Sequence, residues 1–131
     1  MFYPFHSSGV TIDTVNLLTT KAYYTDKPTW GEAIIGYGEE AVEELRKIWP
    51  SKSTDELYAM LAITPMIEMN QVGRTFHRAS ALRLVAWAKE KNLGRLSFWK
   101  LTRSCINQPK SECSNIDQRD AQFVEIFQQF V

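Results

Sequence analysis

The predicted fold depends on residues 71–110, which read QVGRTFHRASALRLVAWAKEKNLGRLSFWKLTRSCINQPK. Nine basic residues and one acid, Glu90, give this segment a formal charge of +8, in a chain whose fifteen bases and fifteen acids cancel. The same segment contains two of the four tryptophans and the most apolar run in the sequence. It therefore combines a part suited to a protein core with an excess of positive charge.

Residues 75–92 predict a buried helix. Their apolar side chains, among them Phe76, Leu82, Val85 and Trp87, fall around almost the whole circumference of a helical wheel. A helix that is apolar on most sides is generally the centre of a bundle. We expect this helix to be the element on which the others pack.

The acidic half of the chain contains start signals for two helices. Thr29 with Glu32, and Ser53 with Glu56, have the spacing of capping boxes. The first is expected to begin a short helix that Gly36 ends, and a new helix is expected to follow it.

That second helix carries glutamates in its first turn and Arg46 and Lys47 in its last, which matches the helix dipole, and Pro50 stops it. The helix begun at Ser53 is expected to continue to Pro65, which kinks or ends it. Helices at Leu96–Ile106 and from Asn115 to the C-terminal end complete the prediction. The last of them presents an apolar stripe that is expected to cover the core, formed by Phe123, Val124, Phe127, Phe130 and Val131.

The first 25 residues are more ambiguous. Thr11–Tyr24 shows helical apolar spacing and is predicted as a helix, although its threonines and tyrosines favour a strand. The resulting fold class is all-α: one domain, residues 1–131, of five to seven helices around the helix at about 75–92, with an N-terminal part that is irregular or holds a short strand. The length suits a single domain.

Residues 84–103 have the outline of a helix–turn–helix unit, in which a short turn joins two helices and the second presents polar side chains outward. This pattern predicts a non-enzymatic regulatory protein that binds DNA or RNA. The predicted contacts are Arg95, Ser97, Lys100 and Arg103, widened along the phosphates by Arg74, Arg78, Lys89 and Lys91.

A second hypothesis explains the same charge by protein binding. An inhibitor, adaptor or immunity-type protein would use the basic segment against an acidic protein partner. The basic segment can also pair internally with residues 1–70, whose five bases and ten acids give −5.

The sequence predicts no catalytic residue, cofactor or metal site. Cys105 and Cys113 have no histidine nearby and lack zinc-ligand spacing, and the pattern leaves open whether they are bonded. No signal peptide or apolar segment of membrane-spanning length is visible, so the expected location is the cytoplasm.

One further resemblance concerns about thirty residues near the N-terminus. Phe5-His6-Ser7-Ser8, then Ala22-Tyr23-Tyr24-Thr25-Asp26 and Ala33, resemble the opening of ADP-ribosyltransferase folds. That resemblance implies a divergent ADP-ribosyltransferase-like protein as a third hypothesis.

Overall fold

The computed structural model describes residues 9–20, 26–69, 73–100 and 122–131, without the side chains of 68 and 69. Its main feature is a parallel β-sheet packed against helices, so the predicted all-α bundle of five to seven helices is wrong. In chain order the elements are β1 (Val15–Thr19), α1 (Trp30–Ile48), α2 (Thr54–Met60), β2 (Leu61–Pro65), β3 (Glu68–Met69), β4 (Thr75–Phe76), α3 (Arg78–Glu90), β5 (Arg95–Leu96) and α4 (Gln122–Gln128).

The parallel sheet has the strand order β1-β2-β5. Its register pairs Val15 with Leu61 at one end of β1 and Thr19 with Pro65 at the other, while Ile63 pairs with Leu96. Parallel neighbours need crossover connections, usually helical. Helices α1 and α2 provide the first crossover and α3 the second, so this part of the chain consists of two consecutive β–α–β units.

Strand β2 lies where helix was predicted to continue. All five of its residues are buried, as is typical of a central parallel strand. The backbone turns extended at Leu61, with φ −81° and ψ 130°. Periodicity alone does not distinguish a short buried strand from a buried helical segment, and this ambiguity explains the wrong prediction.

Both predicted capping boxes are confirmed, at Thr29 and at Ser53. Gly36, however, does not end the first helix, because α1 continues without interruption for 19 residues. A Cβ on Gly38 would lie 2.7 Å from Cη2 of Trp87 and 3.0 Å from Cδ1 of Ile63. This second glycine therefore lets α1 approach α3 and the sheet closely.

Helix α3 is an outer-layer helix rather than the centre of a bundle. Leu84 is fully buried, whereas Leu82 is 48% exposed and Arg83 also faces solvent. The predicted start at Thr75 is wrong as well, since Thr75 and Phe76 form β4, which pairs antiparallel with β3.

The predicted helix–turn–helix is wrong in its second half. Residues 95–96 form β5, and the strand-like pairing continues beyond it: the N–H of Ser97 donates to the carbonyl of Ile63 over 3.0 Å. Residues 101–106 of the predicted second helix lie outside the described ranges.

The core lies between the sheet and the helices. Phe123 and Phe127 of α4 are buried in it, as their apolar stripe predicted, and Phe76 stacks on Phe123 with ring centroids 6.3 Å apart. Among the described helices, none is long and apolar enough to cross a membrane.

Candidate functional site

The three parallel strands end at the same edge of the sheet. In closed barrels and open sheets of parallel strands, ligands bind at this carboxyl edge, where residues from several strands and loops converge. Here the edge is formed by Thr19, Pro65 and the residues that follow Leu96. This edge is therefore the candidate functional site.

Trp99 is the most prominent side chain at this edge. It is 51% exposed, whereas Trp30 and Trp87 are each only 2% exposed. Its backbone is bonded on both sides: the N–H of Trp99 donates to the carbonyl of Pro65 over 2.8 Å, and the carbonyl of Trp99 accepts from the N–H of Ile67 over 2.9 Å. A large aromatic ring is thus presented to solvent on a fixed backbone.

The neighbours of Trp99 are largely apolar. Met66 forms a parallel bridge with Trp99 and is buried. Phe98 turns to the other face and packs on Phe127, with ring centroids 4.9 Å apart. The Lys100 ammonium lies 6.0 Å from the Trp99 ring centroid, within cation–π range. The arrangement provides a flat aromatic surface with one positive charge beside it.

Two threonine hydroxyl groups near the edge donate hydrogen bonds between β1 and β2. The hydroxyl of Thr64 donates to Oδ1 of Asn16 over 2.9 Å, and the hydroxyl of Thr19 donates to the carbonyl of Thr64 over 3.4 Å. These bonds connect β1 to β2 in addition to the backbone ladder. They satisfy buried groups and hold the two strands in register.

Alternation along the strands defines a second face of the sheet. Leu61, Ile63 and Leu96 contact the helical core, so the side chains between them point away from it. We call this set the open face; its members are Asn16, Leu18, Ala62, Thr64, Met66, Arg95, Ser97 and Trp99.

The strand ends themselves carry no carboxylate: neither Thr19–Thr20, nor Pro65–Ile67, nor Leu96–Lys100 contains Asp or Glu. Among the described residues, the first acids that follow the ends of β1 and β2 are Asp26, in the loop that leads to α1, and Glu68, at the start of β3. No cluster of three or more potential metal ligands occurs in the described part of the chain.

The clearest pKa shifts lie away from this edge. Burial raises the pKa of the Tyr58 hydroxyl, and a hydrogen bond with Glu90 raises the pKa of Lys91. Tyr58 lies in α2, and Lys91 follows α3, so both precede the amino ends of β2 and β5. These shifts therefore give no indication of a titrating group at the carboxyl edge.

Two of the predicted nucleic-acid contacts join separate parts of the fold. Arg74 donates to the carbonyl of Lys27 over 2.9 Å, and its guanidinium lies 5.4 Å from the ring centroid of Trp30. Arg78 donates to Oε1 of Gln122 over 2.8 Å. Both arginines thus make contacts within the protein.

Two predicted lysine contacts also interact locally. Nζ of Lys89 donates to the carbonyl of Gln129 over 2.9 Å, which ties α3 to the end of α4. Lys91 pairs with Glu90 at 3.2 Å. Both lysines lie at the end of α3, which leads into the amino end of β5, whereas Trp99 lies at the carboxyl edge of the sheet.

The remaining predicted contacts were placed on a recognition helix, and the structure gives them a different setting. Arg95 and Ser97 lie on the open face, at the amino end and in the middle of the sheet, and Lys100 lies beside Trp99. Arg103 is outside the described residues. Sequence reasoning missed Trp99 itself; its position after an alternating strand was the available signal, which a helical interpretation of 96–106 concealed.

Comparisons with known proteins point to one class of enzyme. No family model matches the chain. Two curated proteins are 29% identical to it over 106 residues: Endochitinase 11 of Metarhizium anisopliae and a probable bifunctional chitinase/lysozyme of Escherichia coli strain K12. Each match covers 74% of this chain, but only 20% of the first protein and 12% of the second.

Solved structures give a closer match. The catalytic domain of a hyperthermophilic chitinase from Pyrococcus furiosus superimposes with a TM-score of 0.88 at 30% identity. So do catalytic-site mutants of active domain 2 of a thermostable chitinase from the same organism, complexed with chito-oligosaccharides. These matches cover 98% of this chain and 43% of the solved chains. The chain is similar to chitinases.

These similarities overturn the functional hypotheses drawn from the sequence. The relatives and structural neighbours are glycoside hydrolases, so the prediction of a non-enzymatic protein that binds DNA, RNA or an acidic protein is wrong. The ADP-ribosyltransferase-like hypothesis is wrong for the same reason. Charge misled the prediction, because the basic residues lie on different elements instead of lining one recognition helix.

Proposed function

We propose that this chain forms part of a glycoside hydrolase domain that acts on chitin-type polysaccharides, with Trp99 as a substrate-contacting residue. The exposed indole at the carboxyl edge of the parallel sheet is the observation that carries this proposal. The similarity to chitinases supports the choice of polysaccharide.

The chemistry of the polymer suits this surface. A pyranose ring with equatorial substituents has flat apolar C–H faces, and such a face can stack on a large aromatic ring while the hydroxyl and acetamido groups stay available for hydrogen bonds. Binding sites commonly combine aromatic walls with a few polar groups that fix orientation. Trp99 supplies the aromatic surface, and its two backbone hydrogen bonds hold that surface in place.

Glycoside hydrolases generally use a pair of carboxyl groups that flank the scissile bond, about 5–10 Å apart, whereas substrate-assisted enzymes keep the carboxyl acid and use a group of the substrate in place of the second carboxyl group. The described strand ends contribute no such pair, because Asp and Glu are absent from them. In this proposal the described residues bind and orient the sugar, and the carboxyl chemistry belongs to other parts of the catalytic domain.

Isothermal titration calorimetry with two matched ligands tests the proposal. We expect the protein to bind chitotetraose more tightly than cellotetraose. The two sugars share a backbone and differ in the acetamido groups, so a difference in affinity reports on those groups. A preference for cellotetraose, or no binding to either sugar at millimolar concentration, would contradict the proposal. A parallel titration with soluble peptidoglycan fragments shows whether an acetamido sugar is sufficient for binding.

A further inference from the structure

Two segments near Trp99 follow the carboxyl ends of the other two strands. Residues 26–29, here called the α1 entry, lead from β1 into α1, and the antiparallel strand pair β3–β4 follows β2. Because β2 lies between β1 and β5, the β3–β4 pair lies between the α1 entry and Trp99 in the order of the strands. Loops at the carboxyl ends of parallel strands are the parts of such folds that build binding sites.

The inner end of the β3–β4 pair is attached to Trp99. The N–H of Ile67 donates to the carbonyl of Trp99 over 2.9 Å, one residue before β3 begins at Glu68. Ile67 is buried, and so is Phe76, which pairs with Glu68 across the two strands. The end of the pair that lies nearest the sheet is therefore fixed by hydrogen bonds and by packing.

The outer end of the same pair is joined to the α1 entry by Arg74. This arginine lies just before β4 and is partly buried. Its Nη2 donates to the carbonyl of Lys27 over 2.9 Å, and its guanidinium carbon lies 5.4 Å from the ring centroid of Trp30. The hydrogen bond connects residues 47 positions apart in the chain, so it joins two separate segments at the carboxyl edge.

The beginning of α1 gives Arg74 a rigid support. Trp30 is buried and is the first residue of a helix whose capping box, formed by Thr29 and Glu32, is complete. Tyr37 meets Trp30 edge to face, with ring centroids 6.4 Å apart. A guanidinium group can stack on an aromatic ring and donate hydrogen bonds in its own plane at the same time, whereas a lysine ammonium is a compact point charge. Arg74 is therefore suited to hold the β3–β4 pair against the α1 entry.

We propose that Arg74 is a positioning residue for the sugar site. It braces the β3–β4 pair against the α1 entry, so that the sugar units next to the one on Trp99 meet a preformed wall. The inference rests on the proposed function and adds to it a residue that controls affinity for longer sugar chains. Ordering a loop upon ligand binding costs free energy, and a wall that is already held in place avoids this cost.

The length of the sugar should determine how strongly binding depends on Arg74. Trp99 is held by its own backbone hydrogen bonds to Pro65 and Ile67, in which Arg74 takes no part. A disaccharide stacked on Trp99 therefore loses little when the brace is removed. A tetrasaccharide, which extends further along the edge, loses its contacts with a fixed wall.

Calorimetric titration of Arg74 variants with chitobiose and chitotetraose tests the proposal. Arg74→Met keeps a long side chain but removes the guanidinium group. It should weaken chitotetraose binding by roughly tenfold, equivalent to about 1.4 kcal/mol, and chitobiose binding by less than about threefold. Arg74→Lys keeps a donor for the carbonyl of Lys27 and should recover part of the lost affinity.

Lys89→Met is the matched control. Nζ of Lys89 donates to the carbonyl of Gln129 over 2.9 Å, a bond from a side chain to the backbone of the same length as that of Arg74. It lies where α3 leads into the amino end of β5, away from the carboxyl edge. This variant should bind both sugars as the natural protein does.

Hydrogen exchange in the absence of sugar measures the brace itself. The amides of β3 and β4 should exchange faster in Arg74→Met than in the natural protein, and at unchanged rates in Lys89→Met. Urea unfolding of each variant measures its global stability. If Arg74→Met does not fold, Arg74→Lys takes its place and should show smaller changes in the same directions.

Three results would each overturn the proposal. The first is chitotetraose binding of unchanged affinity in the Arg74 variants. The second is an equal loss of affinity for the two sugars, which would indicate an effect on the whole fold. The third is unchanged exchange of the β3 and β4 amides.

The natural protein separates this inference from the proposed function. If it binds neither sugar, the proposed function is wrong, and the role of Arg74 in sugar binding is wrong with it. If it binds chitotetraose but the Arg74 variants behave like Lys89→Met, the inference about Arg74 alone is wrong.

Discussion

The N–H of Trp99 donates a hydrogen bond to the carbonyl of Pro65 over 2.8 Å. Pro65 ends a strand whose five residues are all buried, so the exposed indole of Trp99 is attached to one of the least accessible parts of the fold. Such a ring is presented to a ligand with little loss of backbone entropy on binding, which is the general advantage of a preorganised site.

Leu84 and Leu82 provide a direct test of the position of α3. Leu84→Ala should lower the free energy of unfolding by about 2–5 kcal/mol, because the side chain is fully buried. Leu82→Ala should change it by less than about 0.5 kcal/mol, because that side chain is 48% exposed. Urea unfolding followed by circular dichroism measures both. Equal losses would indicate a helix buried on all sides, contrary to this structure.

Two glycines are expected to respond to alanine in opposite directions. Gly36 lies within α1, and a Cβ there meets only Cε of Lys27 at 3.8 Å. Gly36→Ala should therefore raise the free energy of unfolding by about 0.5–1 kcal/mol. A Cβ at Gly94 would overlap the backbone carbonyl of Ala59, and relief requires a backbone shift. Gly94→Ala should lower stability by about 1–3 kcal/mol.

Thermal and urea unfolding of these two variants measure the contrast. A destabilised Gly36→Ala protein would show that α1 is interrupted at that position. A Gly94→Ala protein as stable as the natural one would contradict the close approach of the β5 entry to the α2–β2 connection.

The capping box of α2 makes stability depend on pH. The backbone N–H of Ser53 donates to Glu56 over 2.7 Å, and this bond, followed by that of the Ser53 hydroxyl, lowers the pKa of the Glu56 carboxyl. A carboxylate with a lowered pKa stabilises the fold above the pKa it has in the unfolded chain. That contribution is lost as pH falls through the lower pKa of the folded state.

Glu56→Ala should therefore be less stable than the natural protein near neutral pH, and the difference should shrink steadily as pH falls into the acid range. Ser53→Ala is the matched variant. It should cost about 0.5–2 kcal/mol through loss of the cap. It should also retain most of the pH dependence, because the backbone donor at position 53 remains. A pH-independent difference for Glu56→Ala would contradict the assigned cause.

Local signals in the sequence predicted local structure well. The helix starts after Thr29 and Ser53 depend on side chain–backbone bonds within four residues, and both are present. The buried stripe of Phe123 and Phe127 follows from helical spacing alone.

The parallel sheet could not be read in the same way, because its contacts join residues far apart in the chain. Leu61–Pro65 becomes a strand only through pairing with Val15–Thr19 on one side and Arg95–Leu96 on the other. Without those partners, a short apolar run fits a helix equally well. The threonines and tyrosines of Thr11–Tyr24 were the local sign of a strand.

The candidate site was missed for a related reason. Arg95, Ser97 and Lys100 were predicted as contacts because they are charged or polar residues on a predicted helix face, and Trp99 was not among the predicted contacts. Its exposure depends on the register between β5 and β2, which brings Trp99 level with Met66 at the carboxyl edge. Sequence spacing contains no direct information about that register.

Intrinsic fluorescence provides the most direct test of the proposed sugar contact. Trp30 and Trp87 are buried and Trp49 is partly buried, so acrylamide should quench Trp99 most strongly. Chitotetraose is expected to protect the Trp99 emission from acrylamide. Trp99→Phe should abolish the protected component of the emission, although this variant retains a smaller aromatic ring. Trp99→Ala should weaken binding by roughly tenfold or more, equivalent to about 1.4 kcal/mol. Two results together would contradict the proposed sugar contact. Chitotetraose would bind Trp99→Ala with unchanged affinity, and it would not protect Trp99 of the natural protein from acrylamide.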